Sequence, residues 1–275
     1  MMTGMSPLQW ILSVPALLLA YVLVALLFMH VTRGEAANDW RSASREPVGL
    51  APDPEATREA VVQVYAARAL SWRGYFGVHP WIAVKRSGAR AFTVYEVNGW
   101  RLWRGGSSLL ASQRPPDGRW FGNRPQLLAD RRGPGVDALI DRIETAVQAY
   151  PWKATYHVWP GPNSNTFIAH VLRSAPELRV DLPPTAIGKD YLGLRPFAKL
   201  PSGTGAQLNV LGVAGIAVGL EEGIEVNVLG LTFGIDPRNL ALKLPIIGSI
   251  GPRRFADSAQ VKPPLDAPQG PPTRD

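Results

Sequence analysis

The longest apolar stretch of the chain lies near its N-terminus. Residues 6–31, SPLQWILSVPALLLAYVLVALLFMHV, contain no Asp, Glu, Lys or Arg, and the next charged side chain is Arg33. A run of this length can cross a bilayer as a helix. A cleavable signal peptide has a shorter apolar core after a basic start, whereas no Lys or Arg precedes this run. The pattern predicts an uncleaved, single-pass transmembrane anchor over residues 6–32.

Behind the anchor, three runs have the composition of β-strands. Residues 61–66 are rich in β-branched and aromatic side chains, and so are residues 81–85 and 92–97. The last two runs lie on either side of Ser87-Gly88, and two such runs around a glycine turn predict a hairpin.

Two later segments predict helices that pack on this sheet. Apolar side chains recur every three or four positions over residues 137–150, which is the spacing of an amphipathic helix. Residues 156–173, YHVWPGPNSNTFIAHVLR, predict a strand, a Pro-Gly-Pro turn and a second helix. The predicted fold class is therefore α+β, an antiparallel sheet with packed helices.

The C-terminal part of the chain has a different composition. Glycine recurs among apolar residues from position 207 to 247, and Asn-Val-Leu-Gly occurs at 209–212 and again at 227–230. Apolar runs separated by turn signals predict a β-meander of two or three antiparallel strands. This sheet could close over the core, which we favour, or present an apolar face to lipid or to a partner.

These patterns divide the chain into five segments. Residues 6–32 form the transmembrane anchor, residues 33–59 a linker or an extended arm that wraps the domain, and residues 60–200 the α+β core. Residues 201–250 form the β-meander packed on the core. Residues 251–275 are rich in proline and poor in apolar side chains, and we expect them to be disordered.

Composition narrows the function classes. The chain has 275 residues, 46% of them hydrophobic, so it can bury a sizeable core. Its net charge is +7, but acidic residues are scattered among the basic ones, which favours a mildly cationic surface near anionic lipid over a nucleic-acid interface. The absence of cysteine excludes disulfides, thiolate metal sites and cysteine nucleophiles.

Ser164 is the first candidate catalytic residue, because it lies where the predicted turn meets the second helix. The free backbone N–H groups and the positive dipole end of a helix start would stabilise an alkoxide or an oxyanion on a bound carbonyl. The alternative is structural: Asn163 or Ser164 caps the helix, the commonest role of such residues at that position.

His79 and Glu96 are the second and third candidates. A turn centred between Ser87 and Gly88 places these two residues opposite each other on one sheet face, close enough for the carboxylate to orient the imidazole. Together with the hydroxyl of Ser164, a base held by an acid would complete a nucleophilic site. The alternative is a half-exposed strand histidine beside an unrelated surface glutamate.

Short motifs of the chain occur in a distinctive order: Val62-Gln63-Val64-Tyr65, then Gly77-Val78-His79, then Asn163-Ser164-Asn165-Thr166-Phe167. In this order they resemble the circularly permuted papain-like group, which includes lecithin:retinol acyltransferase and the PPPDE-type peptidases. The resemblance implies a permuted papain-like core in which the catalytic histidine precedes the nucleophile. The chain departs from the group by having Ser164 where the group has cysteine.

The papain-like resemblance implies acyl transfer on an amide or ester. Ser164 would be the nucleophile, Glu96 the orienting acid, and His79 a true general base, because a hydroxyl is far less acidic than a thiol. The substrates implied are peptidoglycan peptides, lipoproteins or acyl lipids, handled by a membrane-anchored envelope hydrolase or acyltransferase. The alternative is a catalytically inactive papain-like shell that serves as a binding or scaffold protein of the bacterial envelope.

Three further stretches, DWRSASRE, GPNSNTF and Ile187-Gly188-Lys189-Asp190-Tyr191, resemble a bacterial domain family of unknown function found behind signal or anchor segments. That resemblance extends over nearly everything after the anchor. It implies a bacterial inner-membrane protein with its domain in the periplasm. A literal count of the positive residues after the span, Arg33, Arg41 and Arg45, points to the cytoplasmic side instead.

No cofactor is predicted. The four histidines, His30, His79, His157 and His170, have no HExxH spacing and no clustered carboxylates nearby, which makes a metal site a weak alternative. The expected partner is the lipid bilayer, reached through the N-terminal helix. No nucleic acid is expected.

Overall fold

The computed structural model of the chain describes residues 7–32 and 40–252. The helices are α1 (Pro7–Thr32), α2 (Arg73–Phe76), α3 (Val136–Gln148) and α4 (Ser164–Arg173), with two 3-10 helices at Gly99–Arg104 and Pro176–Leu178. The strands are β1 (Val61–Arg68), β2 (Val78–Lys85), β3 (Thr93–Val97), β4 (Leu109–Gln113), β5 (Gln126–Arg132), β6 (Phe197–Lys199), β7 (Gly205–Val210), β8 (Ala214–Gly219), β9 (Gly223–Val228), β10 (Leu231–Asp236), β11 (Ala241–Leu244) and β12 (Gly248–Ile250). The predicted α+β class with antiparallel sheets is confirmed.

Helix α1 is long and apolar enough to span a membrane, as the sequence predicts. Its C-terminal half packs against the rest of the chain. Ala25 and Met29 are buried against Ile246, and the Tyr21 hydroxyl donates a hydrogen bond of 2.6 Å to the Pro245 carbonyl. Residues 33–39 of the predicted linker and residues 253–275 of the predicted tail lie outside the described residues.

The first sheet has the strand order β4-β3-β2-β1-β5, and all its neighbours are antiparallel. Strand β1 lies inside the sheet and is buried on both faces, which explains its nearly continuous apolar sequence. Successive side chains of a strand point to opposite faces, so the sheet has two separate cores. Helices α3 and α4 pack on one face, called here the helix face, and aromatic rings cover the other, the aromatic face.

Residues 40–59, the described part of the segment predicted as a linker or an extended arm, pack on the aromatic face through Ala43 and Leu50 and are called the arm below. Asp117 holds it in place, because its carboxylate accepts backbone N–H groups from Val48, Leu50 and Ala51 at 3.2, 2.7 and 3.3 Å. Pro47 also forms a β-bridge with Gly118. The arm thus closes a sheet face that would otherwise be exposed.

The strand predicted before the Pro-Gly-Pro turn is absent, and this prediction was wrong. Residues 156–163 form neither helix nor strand. The His157 N–H donates to the Pro162 carbonyl at 2.8 Å, within the same loop, and not to a neighbouring strand. The following helix is confirmed as α4.

The C-terminal meander is larger than the two or three strands predicted, since β6 to β12 form one seven-stranded antiparallel sheet in sequence order. The repeated Asn-Val-Leu-Gly motif forms the same turn twice. Leu211-Gly212 and Leu229-Gly230 all have positive φ. In each copy the asparagine side chain accepts the N–H of the glycine, at 2.6 Å for Asn209 and 2.8 Å for Asn227. The repeat is therefore a repeated hairpin turn.

This second sheet packs on the rest of the protein with its polar face. Glu225 and Asn227 of β9 are buried, whereas their neighbours Ile224, Val226 and Val228 are exposed. The inward polar side chains are Gln207, Asn209, Glu225, Asn227, Thr232 and Lys243. The meander closes over the core, as favoured, yet it also leaves an apolar face uncovered.

Buried ion pairs join the sheet to the preceding segment. Glu225 accepts hydrogen bonds from Lys189 at 2.7 Å and Lys243 at 2.8 Å, and Lys243 also contacts the Asp181 carboxylate at 2.6 Å. Burial raises the pKa of Glu225, but the two lysines outweigh it and hold that pKa below its ordinary value. Burial raises the pKa of Asp181 to about 7 despite Lys243. These four residues are called the ion network below.

Replacing Glu225 with glutamine should destabilise the protein by about 3 kcal/mol, because it leaves Lys189 and half of the Lys243 contact without compensation in a buried site. The measurement is chemical unfolding of the detergent-solubilised full chain. Glu221→Gln is the matched control: Glu221 pairs with the exposed Arg238 and Arg179, so it should cost less than about 1 kcal/mol. Equal effects of the two substitutions would contradict a stabilising ion network.

Candidate functional site

His79 and Glu96 lie side by side on the aromatic face. The Nε2 atom of His79 is 2.9 Å from Oε2 of Glu96. The hairpin register pairs Ile82 with Tyr95, which places Trp81 opposite Glu96 and His79 one step along the diagonal. The register differs by two residues from the predicted one. An even shift keeps every side chain on its face, so the two residues still meet.

Aromatic and basic side chains enclose this pair. The His79 ring stacks on Trp120 with centroids 3.7 Å apart and planes 6° apart. The Arg114 guanidinium lies 3.6 Å from the other Glu96 oxygen, which is an ion pair longer than a hydrogen bond, and 5.2 Å from the Trp81 ring centroid. Burial raises the pKa of Glu96, but the hydrogen bond and charge of His79, with the charge of Arg114, lower it more. The carboxylate is therefore held in its charged form.

Three buried polar atoms on this face have no hydrogen-bond partner among the described residues: Asn98 Oδ1, Ser112 Oγ and Arg114 Nη2. Such atoms are costly in a closed core, and three of them on one sheet face distinguish this face from ordinary packing. The His79 and Glu96 side chains are only 7% and 5% exposed, and Trp120 covers the His79 ring. The pair is thus enclosed and does not line an open cleft.

Ser164 begins α4, but Asn163 is the cap. The Asn163 side chain accepts the N–H groups of Asn165 and Thr166 at 2.9 and 3.2 Å, and Thr166 Oγ1 accepts the Asn163 N–H at 3.1 Å. This capping box satisfies helix N–H groups that an oxyanion would need. Ser164 itself is 3% exposed and lies against the Tyr156 hydroxyl, whose pKa burial raises and the Ser164 contacts partly lower.

The structure places Ser164 and His79 on opposite faces of the first sheet. Helix α4 belongs to the core of the helix face, and Val78 of β2 packs against that core. His79, the next residue, therefore points to the aromatic face, where it stacks on Trp120. The geometry unites His79 with Glu96 and separates both from Ser164.

The remaining histidines have separate environments. His170 Nε2 lies 3.0 Å from the Ala146 carbonyl, and burial lowers the pKa of His170. His157 is exposed, and His30 Nδ1 is 3.4 Å from the Tyr75 hydroxyl. Within residues 7–32 and 40–252, no group of three or more His, Asp or Glu residues could hold a metal ion.

Sequence reasoning missed the residues that complete the environment of His79. Arg114 and Trp120 follow β4 and come from outside the predicted hairpin. Tyr156 was assigned to a strand and given no role beside Ser164. Arg114 lies in Gln-Arg-Pro-Pro and Trp120 in Gly-Arg-Trp-Phe, which are ordinary loop sequences. Only the pairing of β3 with β4 brings these side chains over His79.

Residues 59–191 match the DUF3750 family, and this range is called the DUF3750 domain below. The matching family is described as a protein of unknown function. The predicted likeness to a domain family of unknown function is confirmed for this range, but the match ends before the seven-stranded sheet and does not extend over nearly all of the chain behind the anchor. No curated protein and no solved structure matches the chain. The papain-like resemblance stays a prediction.

The DUF3750 domain contains the whole His79–Glu96 pair, and a pH titration can test its role in stability. The pKa of Glu96 lies below its ordinary value of 4.5, so the carboxylate stabilises the fold fully above about pH 4.5. That contribution is lost as the pH falls through the lowered pKa. Glu96→Gln should cost about 3 kcal/mol near neutral pH, and the difference from wild type should shrink between pH 5 and pH 3.

The measurement is unfolding free energy against pH for both proteins. Asp141→Asn is the control, since Asp141 pairs with Arg86 on an exposed helix surface and should change stability by less than about 0.5 kcal/mol. A Glu96→Gln effect that stays constant down to pH 3 would show that the charge of Glu96 does not stabilise the DUF3750 domain.

Proposed function

We propose that this chain is a membrane-anchored binding or scaffold protein of the bacterial envelope that performs no Ser164-dependent catalysis. The observation that carries the proposal is the separation of Ser164 from His79 by the first sheet. A nucleophile needs its general base within hydrogen-bond reach, about 2.6–3.2 Å. Rotating side chains cannot bring together two groups that point away from opposite faces of one sheet.

Burial supports the same proposal. Ser164, His79 and Glu96 are all at most 5% exposed as residues, so a peptide or ester carbonyl could not reach them without opening the core. The capping box occupies helix N–H groups that would otherwise form an oxyanion hole. In this proposal His79, Glu96, Arg114 and Trp120 hold the aromatic face and its arm together.

The second candidate is the hydrolase or acyltransferase acting on an amide or ester, and the 2.9 Å contact between His79 and Glu96 favours it. An imidazole oriented by a carboxylate is two-thirds of a nucleophilic site. Peptidoglycan peptides, lipoproteins and acyl lipids are the substrates of this candidate.

Single-cysteine chemistry separates the two candidates, because the chain contains no cysteine. Ser164→Cys places the thiol of the papain-like group at the candidate nucleophile, and Ser87→Cys places one on an exposed loop as control. In the binding protein, Ser164→Cys should be alkylated about 100-fold more slowly than Ser87→Cys, because so buried a side chain reacts only after local opening. In denaturant the two rates should converge.

A fluorophosphonate should label the wild-type protein no more strongly than Ser164→Ala. A known serine hydrolase in the same reaction is the positive control. Ser164-dependent labelling that also disappears in His79→Gln would establish the catalytic candidate. Faster alkylation of Ser164→Cys than of Ser87→Cys at neutral pH would do the same, because it requires a thiolate activated by a neighbouring base.

For location we propose the inner membrane, with α1 as the single span and the DUF3750 domain in the periplasm. Ser87→Cys tests the side, because its exposed thiol lies at the tip of the β2–β3 hairpin. A membrane-impermeant maleimide should label it in spheroplasts before lysis. Labelling only after lysis would place the domain in the cytoplasm, as the positive charges behind the span indicate.

A further inference from the structure

The seven-stranded sheet presents an apolar face to the outside. Cross-strand pairing aligns its exposed side chains in rows that run across the strands. One row contains Phe197, Leu208, Ile216, Val226 and Phe233. A second row contains Ala206, Val218, Ile224, Ile235, Leu242 and Ile250. At the edge of the second row Lys199 of β6 pairs with Ala206, and the charged side chains of strands β7 to β12, Glu225, Asp236 and Lys243, point inward. The exposed surface formed by the two rows is called the apolar face below.

The apolar face is large for a protein surface in water. With strands about 4.8 Å apart and residues rising about 3.3 Å each, seven strands cover roughly 500 Å² in projection. That is at the upper end of what monomeric soluble proteins expose. The turns add further exposed leucines, namely Leu211, Leu229 and Leu240. A surface of this kind requires a partner or an apolar solvent.

Helix α1 is already packed on this face. The Tyr21 ring lies 5.2 Å from the ring of Phe233, which shares the face with its cross-strand partner Val226. On its other sides the helix carries exposed apolar side chains, including Leu19, Leu23 and Leu27. The exposed apolar side chains of α1 and the apolar face of the sheet therefore adjoin each other at the contact of Tyr21 with Phe233.

The depth of this contact matches one leaflet of a bilayer. The packing of α1 against residues 246–247, before β12, and against Tyr75 and Phe76 of α2 runs from Tyr21 to Met29, about 12 Å at 1.5 Å per residue. This packing occupies the C-terminal half of a helix that is long enough for the whole hydrocarbon core of about 30 Å. If α1 spans the bilayer, the part of the sheet beside it lies at the depth of the acyl chains.

We propose that the apolar face of the seven-stranded sheet is embedded in the membrane leaflet around the C-terminal half of α1. The occupant of the face is lipid acyl chain. The proposal rests on the membrane anchoring in the proposed function and is independent of whether Ser164 is catalytic. Paired strands suit this position, since the sheet satisfies its backbone N–H and C=O groups internally, as lipid requires.

Depth-dependent quenching tests the proposal on the full chain in phosphatidylcholine vesicles. An environment-sensitive NBD probe is attached to Val226→Cys or Ile216→Cys on the apolar face. A probe at Leu19→Cys on α1 is the positive control within the membrane anchor, and a probe at Ser87→Cys is the negative control in water. Ser87 is a suitable water control because it lies beyond the far end of β2, roughly 23 Å along the strand from α2, which contacts α1.

Lipids with a nitroxide on the acyl chain should quench the Val226 and Ile216 probes at least about threefold more strongly than the Ser87 probe, because only a side chain within the leaflet meets that group. Their emission should also shift to the blue. Quenching of the Leu19 probe without quenching of the sheet probes would overturn the proposal and leave the anchor intact.

The emission of the sheet probes could instead shift to the blue without being quenched by lipid nitroxides, and the shift could grow with the protein-to-lipid ratio. That result would assign the face to a second copy of the chain and would equally overturn the proposal. Unfolding curves for each variant confirm that it is folded. Val226 and Ile216 are about half exposed, so cysteine at these positions leaves little cavity.

Discussion

The buried ion network between the DUF3750 domain and the seven-stranded sheet sets the orientation of the whole C-terminal part. Glu225 and Lys243 pair with each other on the inward face of that sheet, and the preceding segment completes the network, with Lys189 on Glu225 and Asp181 on Lys243. A buried charge without its partner costs several kcal/mol. Because the strands alternate strictly, turning Glu225 inward turns Ile224 and Val226 outward. The apolar surface of the protein is thus a direct consequence of its polar core.

In the proposed membrane position, that inversion orients the protein relative to the bilayer. The first sheet buries apolar side chains on both faces, as the core of a domain in water does. The second sheet buries polar side chains and exposes apolar ones, and α1, the candidate span, lies against it through Tyr21 and Ile246. One chain therefore combines a half suited to water and a half suited to lipid. The ion network connects these two halves.

Within the DUF3750 domain, the contact between His79 and Glu96 shows why a catalytic pattern needs three-dimensional support. The pair has the distance and the buried charge of an orienting dyad. Its other neighbours are Trp120 and Arg114, which close the space that a substrate would need. The same elements bind the arm to the sheet, so the pair is at the centre of a structural unit. A favourable pairwise geometry is necessary for catalysis but does not establish it.

The sequence by itself determined the features that depend on local periodicity: the apolar helix α1, the helices α3 and α4, the first strands, and the meeting of His79 with Glu96. The two residues are in contact although the register differs by two residues from the predicted one, because only the parity of the loop length decides on which sheet face each side chain lies. Tertiary structure alone decided that Ser164 lies behind the sheet, that residues 156–163 do not pair, and that Arg114 and Trp120 enclose His79. It also decided which side of β9 is buried. An alternation of Ile, Glu, Val and Asn reveals two faces, but only the distant partners Lys189 and Asp181 select the polar one for burial.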